Sequence, residues 1–334
     1  MTFTRNAPDA TTLLEGVRRG EPLAIARAIT AIENRTSIGV ALGLVAHELG
    51  GSCRTLGITG PPGAGKSSLI NALVGELLPR YQRIGILTVD PSSPVSGGAV
   101  LGDRVRMAAH SANPNVFIRS LATRGHLGGV TRTTRAVIDL LAAGGMDLVI
   151  VETVGTGQSE VEVAELTDVR IVVCAPGFGD EMQAIKAGIL EVADLLVVNK
   201  SDLPDADRTV AHLKAMLHHR GHDERRAAFK VSTLTRDGMA VLAEAINARF
   251  AEPLEVRRNV AAKADNPRHQ LAEDVAQLAA AFMRDHDDPR IEYIAGNVSR
   301  GAISRRDGAV AAMRLLAGQD VFPDATGLDP AFLN

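Results

Sequence analysis

The residues Gly60-Pro61-Pro62-Gly63-Ala64-Gly65-Lys66-Ser67 match the phosphate-binding pattern GxxxxGK[ST] without a break, and Ser68 continues it into an apolar helical run. The chemistry explains the types. Glycines let backbone N–H groups turn inward around a β-phosphate, and a following helix points its positive end at the same anion. Lys66 is placed to reach the β- and γ-phosphates, and the Ser67 hydroxyl to ligate Mg²⁺. A second pattern, Asn199-Lys200-Ser201-Asp202, reads NKxD. Asp202 can accept hydrogen bonds from both the ring N–H and the 2-amino group of guanine, while Asn199 and the stem of Lys200 frame the base. Adenine lacks that donor pair, so against adenine a buried carboxylate would be left unpaired, and the site would reject it. Ser232-Thr233-Leu234 follows at the end of a later apolar run and completes the candidate base site.

Acids close two further apolar runs. Arg83–Asp90 ends in Asp90, where a strand's carboxyl end would bring it to Mg²⁺; the alternative is an acid that caps the turn Asp90-Pro91-Ser92-Ser93-Pro94. Asp147–Glu152 ends in Glu152, three residues before Gly155. That is the Asp-x-x-Gly spacing of many nucleotide hydrolases with Glu for Asp, and it makes Glu152 a Mg²⁺ or water-positioning acid and Gly155 a γ-phosphate contact. No glutamine directly follows Gly155; Thr156 stands there, and Gln158 comes two residues later as the candidate to orient water. Arginines 104, 106, 119, 124, 132 and 135 concentrate positive charge between these acids, either for phosphates or a partner or in pairs with nearby acids.

The elements that must hold these groups follow from periodicity. Apolar strand-like segments at Leu56–Thr59, Arg83–Asp90, Val116–Ser120, Asp147–Glu152, Arg170–Pro176, Asp194–Asn199 and Ala228–Leu234 alternate with helical patterns. The helical patterns include 68–78, about 130–143, one opened by Pro204, and one from Asp237 to about 250. This predicts an α/β fold with a mostly parallel central sheet flanked by helices. Helical spacing in Leu13–Arg18, Pro22–Ile32 and Ile38–Leu49 predicts a helical leader packed on the core, and Leu271–Phe282 and Arg306–Leu316 predict a helical C-terminal extension. The expected organisation is a leader over 1–50, a nucleotide-binding unit over 51–252 and a dimerisation or partner region over 253–334. Packing of the last two helices on their own chain is the alternative.

Composition narrows the class. The 334 residues are 46% apolar and carry a net charge of −3, which argues against a general nucleic-acid surface. No apolar run approaches membrane-spanning length and the first residues lack a secretory block, so a cytoplasmic protein without a membrane role is expected. The two cysteines, Cys53 and Cys174, lie in or beside apolar runs and read as core residues. His212, His218, His219 and His222 place no obvious trio on one helical face and read as solvated surface.

With these residues in hand, the chain resembles the methylmalonyl-CoA mutase-associated GTPases of the MeaB/ArgK type. The resemblance rests on Gly60–Ser67, Asp90-Pro-Ser-Ser, Leu101-Gly-Asp103, Leu127-Gly-Gly-Val-Thr-Arg132, Glu152–Glu160, Pro176-Gly-Phe-Gly-Asp180-Glu181 and Asn199–Asp202, and it covers roughly residues 10–250. It implies a P-loop NTPase fold, GTP and GDP as ligands, Mg²⁺ held among Ser67, Asp90, Asp103 and Glu152, and hydrolysis of GTP to GDP and phosphate. It further implies a homodimeric chaperone for an adenosylcobalamin-dependent acyl-CoA mutase, gating cobalamin loading and helping to remove inactivated cofactor. Loops near 92–108, 154–160 and 177–188, the last with Asp180 and Lys186, would be its switches. The chain departs from the family at Thr233, where alanine is usual, and its residues after about 255 do not resemble the family's usual ending. A nickel-insertion chaperone of related fold and a small-molecule kinase with the same phosphate loop are the rival readings; sparse histidines count against the first and NKxD against the second.

Overall fold

The structure is a computed structural model, and it describes residues 10–49, 53–90, 110, 112–122, 129–153, 166–177, 193–219, 227–253, parts of 271–283, and 288–317. Three helices lead: α1 (Ala10–Arg18), α2 (Pro22–Glu33) and α3 (Ser37–Leu49). Strands β1 (Arg54–Thr59), β2 (Ile84–Asp90), β3 (Val116–Ala122), β4 (Leu148–Thr153), β5 (Val169–Cys174), β6 (Leu195–Val198) and β7 (Ala227–Lys230) then alternate with helices α4 (Lys66–Leu77), α5 (Gly129–Ala143), α6 (Ala206–His219) and α7 (Met239–Ala251). Helices α8 (Pro289–Ser299) and α9 (Arg305–Leu316) follow.

The strands form one seven-stranded sheet in the order β3-β2-β4-β1-β5-β6-β7, and every pairing is parallel. The continuous Val/Ile/Leu content of β4, β5 and β6 is what a sheet covered on both faces requires. Alternate side chains go to opposite faces. Leu56, Ile58, Ile84, Ile86, Ile150 and Ile171 pack under α4 and α7, while Leu87, Val89, Val149 and Val151 pack under α5 and the leader. Val172, Cys174, Leu196 and Val198 meet Leu213 of α6. Burial pushes the Cys174 thiol up to about 12, and burial aided by Asp168 and Asp147 does the same for Cys53.

Polar side chains tie the ends. Arg83 donates to Gly144 O (2.8 Å) and Gly20 O (3.2 Å), fastening the turn between α1 and α2 to the end of α5. Arg170 holds Asp194 through Nε and Nη2.

Among the differences from the sequence reading are two boundaries and one helix. The last strand stops at Lys230 rather than reaching Leu234, because the Ser232 amide turns away to donate to Asp237 O. Helix α6 begins at Ala206 rather than at Pro204, because Asp205 holds a left-handed φ of 68° that no helix continues through. Helix α8 was not read from the sequence at all; Asp288 caps it by accepting from the Arg290 amide, and Pro289 opens it.

Candidate functional site

A parallel sheet gathers the carboxyl ends of its strands on one edge, and both motifs sit there. β1 runs into the phosphate loop at Gly60, which has φ 142°, and a Cβ on it would lie 2.1 Å from Val173 O. Gly65, at φ 89°, precedes α4, and a Cβ on it would lie 2.4 Å from Asn199 Nδ2. Only glycine fits these two positions. The first turn of a helix has no intrahelical acceptors for its N–H groups, so the start of α4 at Lys66 makes an anion site of the loop.

Lys66 and Ser67 are buried, 7% and 6% exposed. The Lys66 ammonium donates to Gly60 O (2.8 Å) and Pro61 O (3.2 Å), which curls the side chain over the loop. Ser67 Oγ donates to Glu152 Oε1 at 2.7 Å. Glu152 is central because its strand lies between β1 and β2: it registers with Ile58 on one side and Thr88 on the other. A serine hydroxyl against a buried carboxylate at the phosphate loop is a hard-oxygen donor set, which fits Mg²⁺. Asp90 ends β2, the strand next to β4, and its backbone registers with Ala122; its side chain lies outside the described residues.

The guanine motif is joined to this loop. Asn199, fully buried after β6, donates through Nδ2 to Ala64 O (3.0 Å) and Gly65 O (3.4 Å), and its Oδ1 accepts from the Thr233 amide (3.4 Å). Lys200, at φ 56°, donates to Gly63 O at 2.8 Å. Asp202 is exposed rather than buried as its sequence context predicts, and it accepts from Ser232 Oγ at 2.5 Å. Ser232 is itself fully buried and also accepts from the Thr235 amide (3.2 Å). Leu234 is 81% exposed in the turn beyond. Pro61 is half-buried, and Pro62 and Ser68 are exposed around the same loop.

Asp103, Gly155 and Gln158 lie outside the described residues, as do Arg104, Arg106, Arg124, the side chain of Arg132 and the loop with Asp180 and Lys186. Two arginines of the basic group serve packing: Arg119 pairs with Glu33 and donates to Thr30 Oγ1, and Arg135 stands 3.8 Å from Asp139 on α5. Arg119 ties β3 to α2 and Arg135 pairs along its own helix, and neither lines the phosphate loop.

Two features escaped the sequence reading. Thr153 Oγ1 donates to Thr59 Oγ1 at 2.8 Å, linking the residue before Gly60 to the residue after Glu152. Arg236 reaches α4 and donates to Ala72 O at 3.1 Å. A threonine abutting each of two motifs at strand ends was the available signal for the pair; nothing local marked Arg236.

A family model for the methylmalonyl-CoA mutase-associated GTPase MeaB matches residues 25–286. A Pyrococcus horikoshii relative is 46% identical over 205 residues, 61% of this chain and 65% of that one. The GTPase ArgK of Escherichia coli is 44% identical over 199 residues, 57% of this chain and 60% of that protein. The mouse mitochondrial methylmalonic aciduria type A homolog is 50% identical over 147 residues, 44% of this chain and 35% of that protein. The chain thus spans less than two thirds of the length of these relatives. The crystal structure of a LAO/AO transport system kinase superposes with a TM-score of 0.62 at 28% identity, covering 92% of this chain and 97% of that one.

Proposed function

This chain belongs to the family of methylmalonyl-CoA mutase-associated GTPases, and on that premise we propose that it hydrolyses GTP to GDP and phosphate as a chaperone of an adenosylcobalamin-dependent acyl-CoA mutase. The observation that carries the nucleotide reading is Asn199: its amide nitrogen donates to the phosphate loop while its oxygen receives the Thr233 amide, so base motif and phosphate cradle form one site. Asp202, oriented by Ser232, reads the guanine edge. Lys66 exchanges its contacts with Gly60 O and Pro61 O for phosphate oxygens and offsets charge that grows on them in the transition state. The Gly155 amide adds a donor to the γ-phosphate, and Gln158 is the residue of this chain available to hold the attacking water. Ser67, with Glu152 and with Asp90 and Asp103 as the further acids, would hold Mg²⁺. When bound, that ion neutralises phosphate charge.

We assign this unit to residues 51–252, with a leader over 1–50 and a dimerisation or partner region over 253–334. Helices α8 and α9 support the last assignment. They bury Ile291, Ile294 and Leu315 against each other yet expose Tyr293, Val310 and Met313. A cytoplasmic homodimer is the expected form.

Phosphate release from Mg·GTP by the purified chain tests the reading. Slow turnover alone, acceleration by an acyl-CoA mutase, and no turnover for Lys66→Ala are expected. Turnover by the chain alone at the rate of a metabolic enzyme, or ATP-dependent phosphorylation of a metabolite, would refute it. Retention of a mutase or its cobalamin-binding subunit by the chain loaded with a non-hydrolysable GTP analogue tests the partner.

A further inference from the structure

Arg236 holds a left-handed φ of 69°, a conformation that a residue with a Cβ keeps only when its surroundings fix it there. Glycine or asparagine would occupy that backbone with less strain. What arginine adds is reach: its guanidinium crosses to α4 and donates to Ala72 O at 3.1 Å. Helix α4 is the one whose first residues are Lys66 and Ser67.

The neighbours of Arg236 give the contact its meaning. Thr235, just before it, donates its amide to Ser232 Oγ at 3.2 Å. Asp237, just after it, accepts the Ser232 amide at 3.0 Å through its backbone carbonyl. The hydroxyl and amide of Ser232 are therefore set by the two residues that flank Arg236, and that hydroxyl donates to Asp202 at 2.5 Å. A side chain anchored on α4 thus fixes the turn that aims the base-reading carboxylate.

We propose that Arg236 is a positioning residue that ties the guanine-recognition turn to the phosphate helix and thereby prolongs the residence of bound guanine nucleotide. The inference rests on the guanine-nucleotide reading above. Arg236 acts through Ser232 and Asp202, and the bond to Ala72 O makes the base clamp and the phosphate cradle move together.

The test compares Arg236→Asn, Arg236→Ala and Arg236→Lys with the parent chain in stopped-flow release of a fluorescent GDP. Asparagine keeps the left-handed backbone at low cost and loses the reach, so it separates strain from tether. Loss of one charge-assisted hydrogen bond predicts GDP release on the order of tenfold faster in the Asn and Ala variants. The Lys variant should recover part of that, and the rate of GTP turnover at saturation should stay within about twofold. Parent-like GDP release from Arg236→Asn would overturn the proposal, because the backbone conformation alone would then account for the residue.

Hydrogen exchange over residues 232–238 in the nucleotide-free chain supplies a readout that needs no ligand. Faster exchange in Arg236→Asn is expected, and unchanged exchange would overturn the tether. Failure of the parent chain to bind guanine nucleotide would strike the functional reading, while the exchange comparison still decides the tether.

Discussion

The hydroxyl pair Thr59–Thr153 lends itself to a double-mutant cycle. Both residues are buried, 4% and 2% exposed, and their hydroxyls lie 2.8 Å apart. The last backbone pair between β1 and β4 is Ile58 with Glu152, so this contact joins the strands one residue beyond their ladder. Valine has the shape of threonine without the oxygen. Thr153→Val leaves the Thr59 oxygen without its donor, and Thr59→Val leaves the Thr153 O–H without its acceptor. A buried polar group that loses its partner costs about 1–3 kcal/mol, whereas replacing both partners by apolar groups of the same shape is nearly neutral. Each single variant should therefore lose about 2 kcal/mol. The double variant should lose less than about 2 kcal/mol instead of the additive value of about 4, a coupling of at least about 2 kcal/mol. Urea titration of the four nucleotide-free proteins reads this directly. Additive losses would refute the hydrogen bond as the source of stability. The same variants report on mechanism, since the pair links the residue beside Gly60 to the residue beside Glu152: turnover of GTP should fall in the singles, and Thr153→Ser, which keeps the hydroxyl, should retain it.

Asp202→Asn should weaken GTP binding and favour xanthosine triphosphate, whose 2-position is a carbonyl; competition titration with both nucleotides checks it, and unchanged GTP affinity would remove Asp202 from the base site. Gly65→Ala puts a Cβ within 2.4 Å of Asn199 Nδ2 on a backbone at φ 89°, so GTP affinity should fall at least about tenfold, measured by calorimetry. Cys53 and Cys174 should resist a thiol reagent at pH 8 in the folded protein and react once it is unfolded, because burial pushes both thiols up to about 12. The raised values also set a sign. The folded state holds these protons more tightly than the unfolded chain, so the stability they contribute is intact below pH 9 and is lost as pH rises from 9 towards 12, visible as a falling melting temperature.

Much of this arrangement was legible in the sequence because its parts are local. The glycine-rich run, the helix after it and NKxD are each fixed by a few adjacent residues, and seven apolar runs in an alternating pattern left little choice of sheet. The connections between distant segments were not legible. No spacing tells that Asn199 donates to Ala64 O, or that Arg119 goes to Glu33 rather than to a phosphate, since those contacts depend on strand order and helix crossing. The end of β7 was misjudged for a related reason. Val231 still donates to Val198 O as a strand residue would, but the Ser232 amide is claimed by Asp237 six residues after Val231, a competition that β-propensity does not register. Helix α8 was legible and was missed: Ile291, Ile294, Ala295 and Val298 recur at helical spacing behind the Asp288-Pro289 start.

The leader's place on the sheet bears on how the chain is made. Its apolar sides meet Leu87, Val89, Val149 and Val151, which belong to strands synthesised later. Roughly a hundred residues separate the end of α3 from the end of β4, which at translation rates of about 5–20 residues per second is a wait of roughly 5–20 seconds. Early in that interval, before β2 is made, α1, α2 and α3 can shelter only against one another, using their own shared residues such as Leu13, Ile25, Ile29 and Leu42. Starting the chain at residue 51 would remove the wait and leave that face of β2 and β4 covered by α5 alone, so much of such a product should be found in the insoluble fraction.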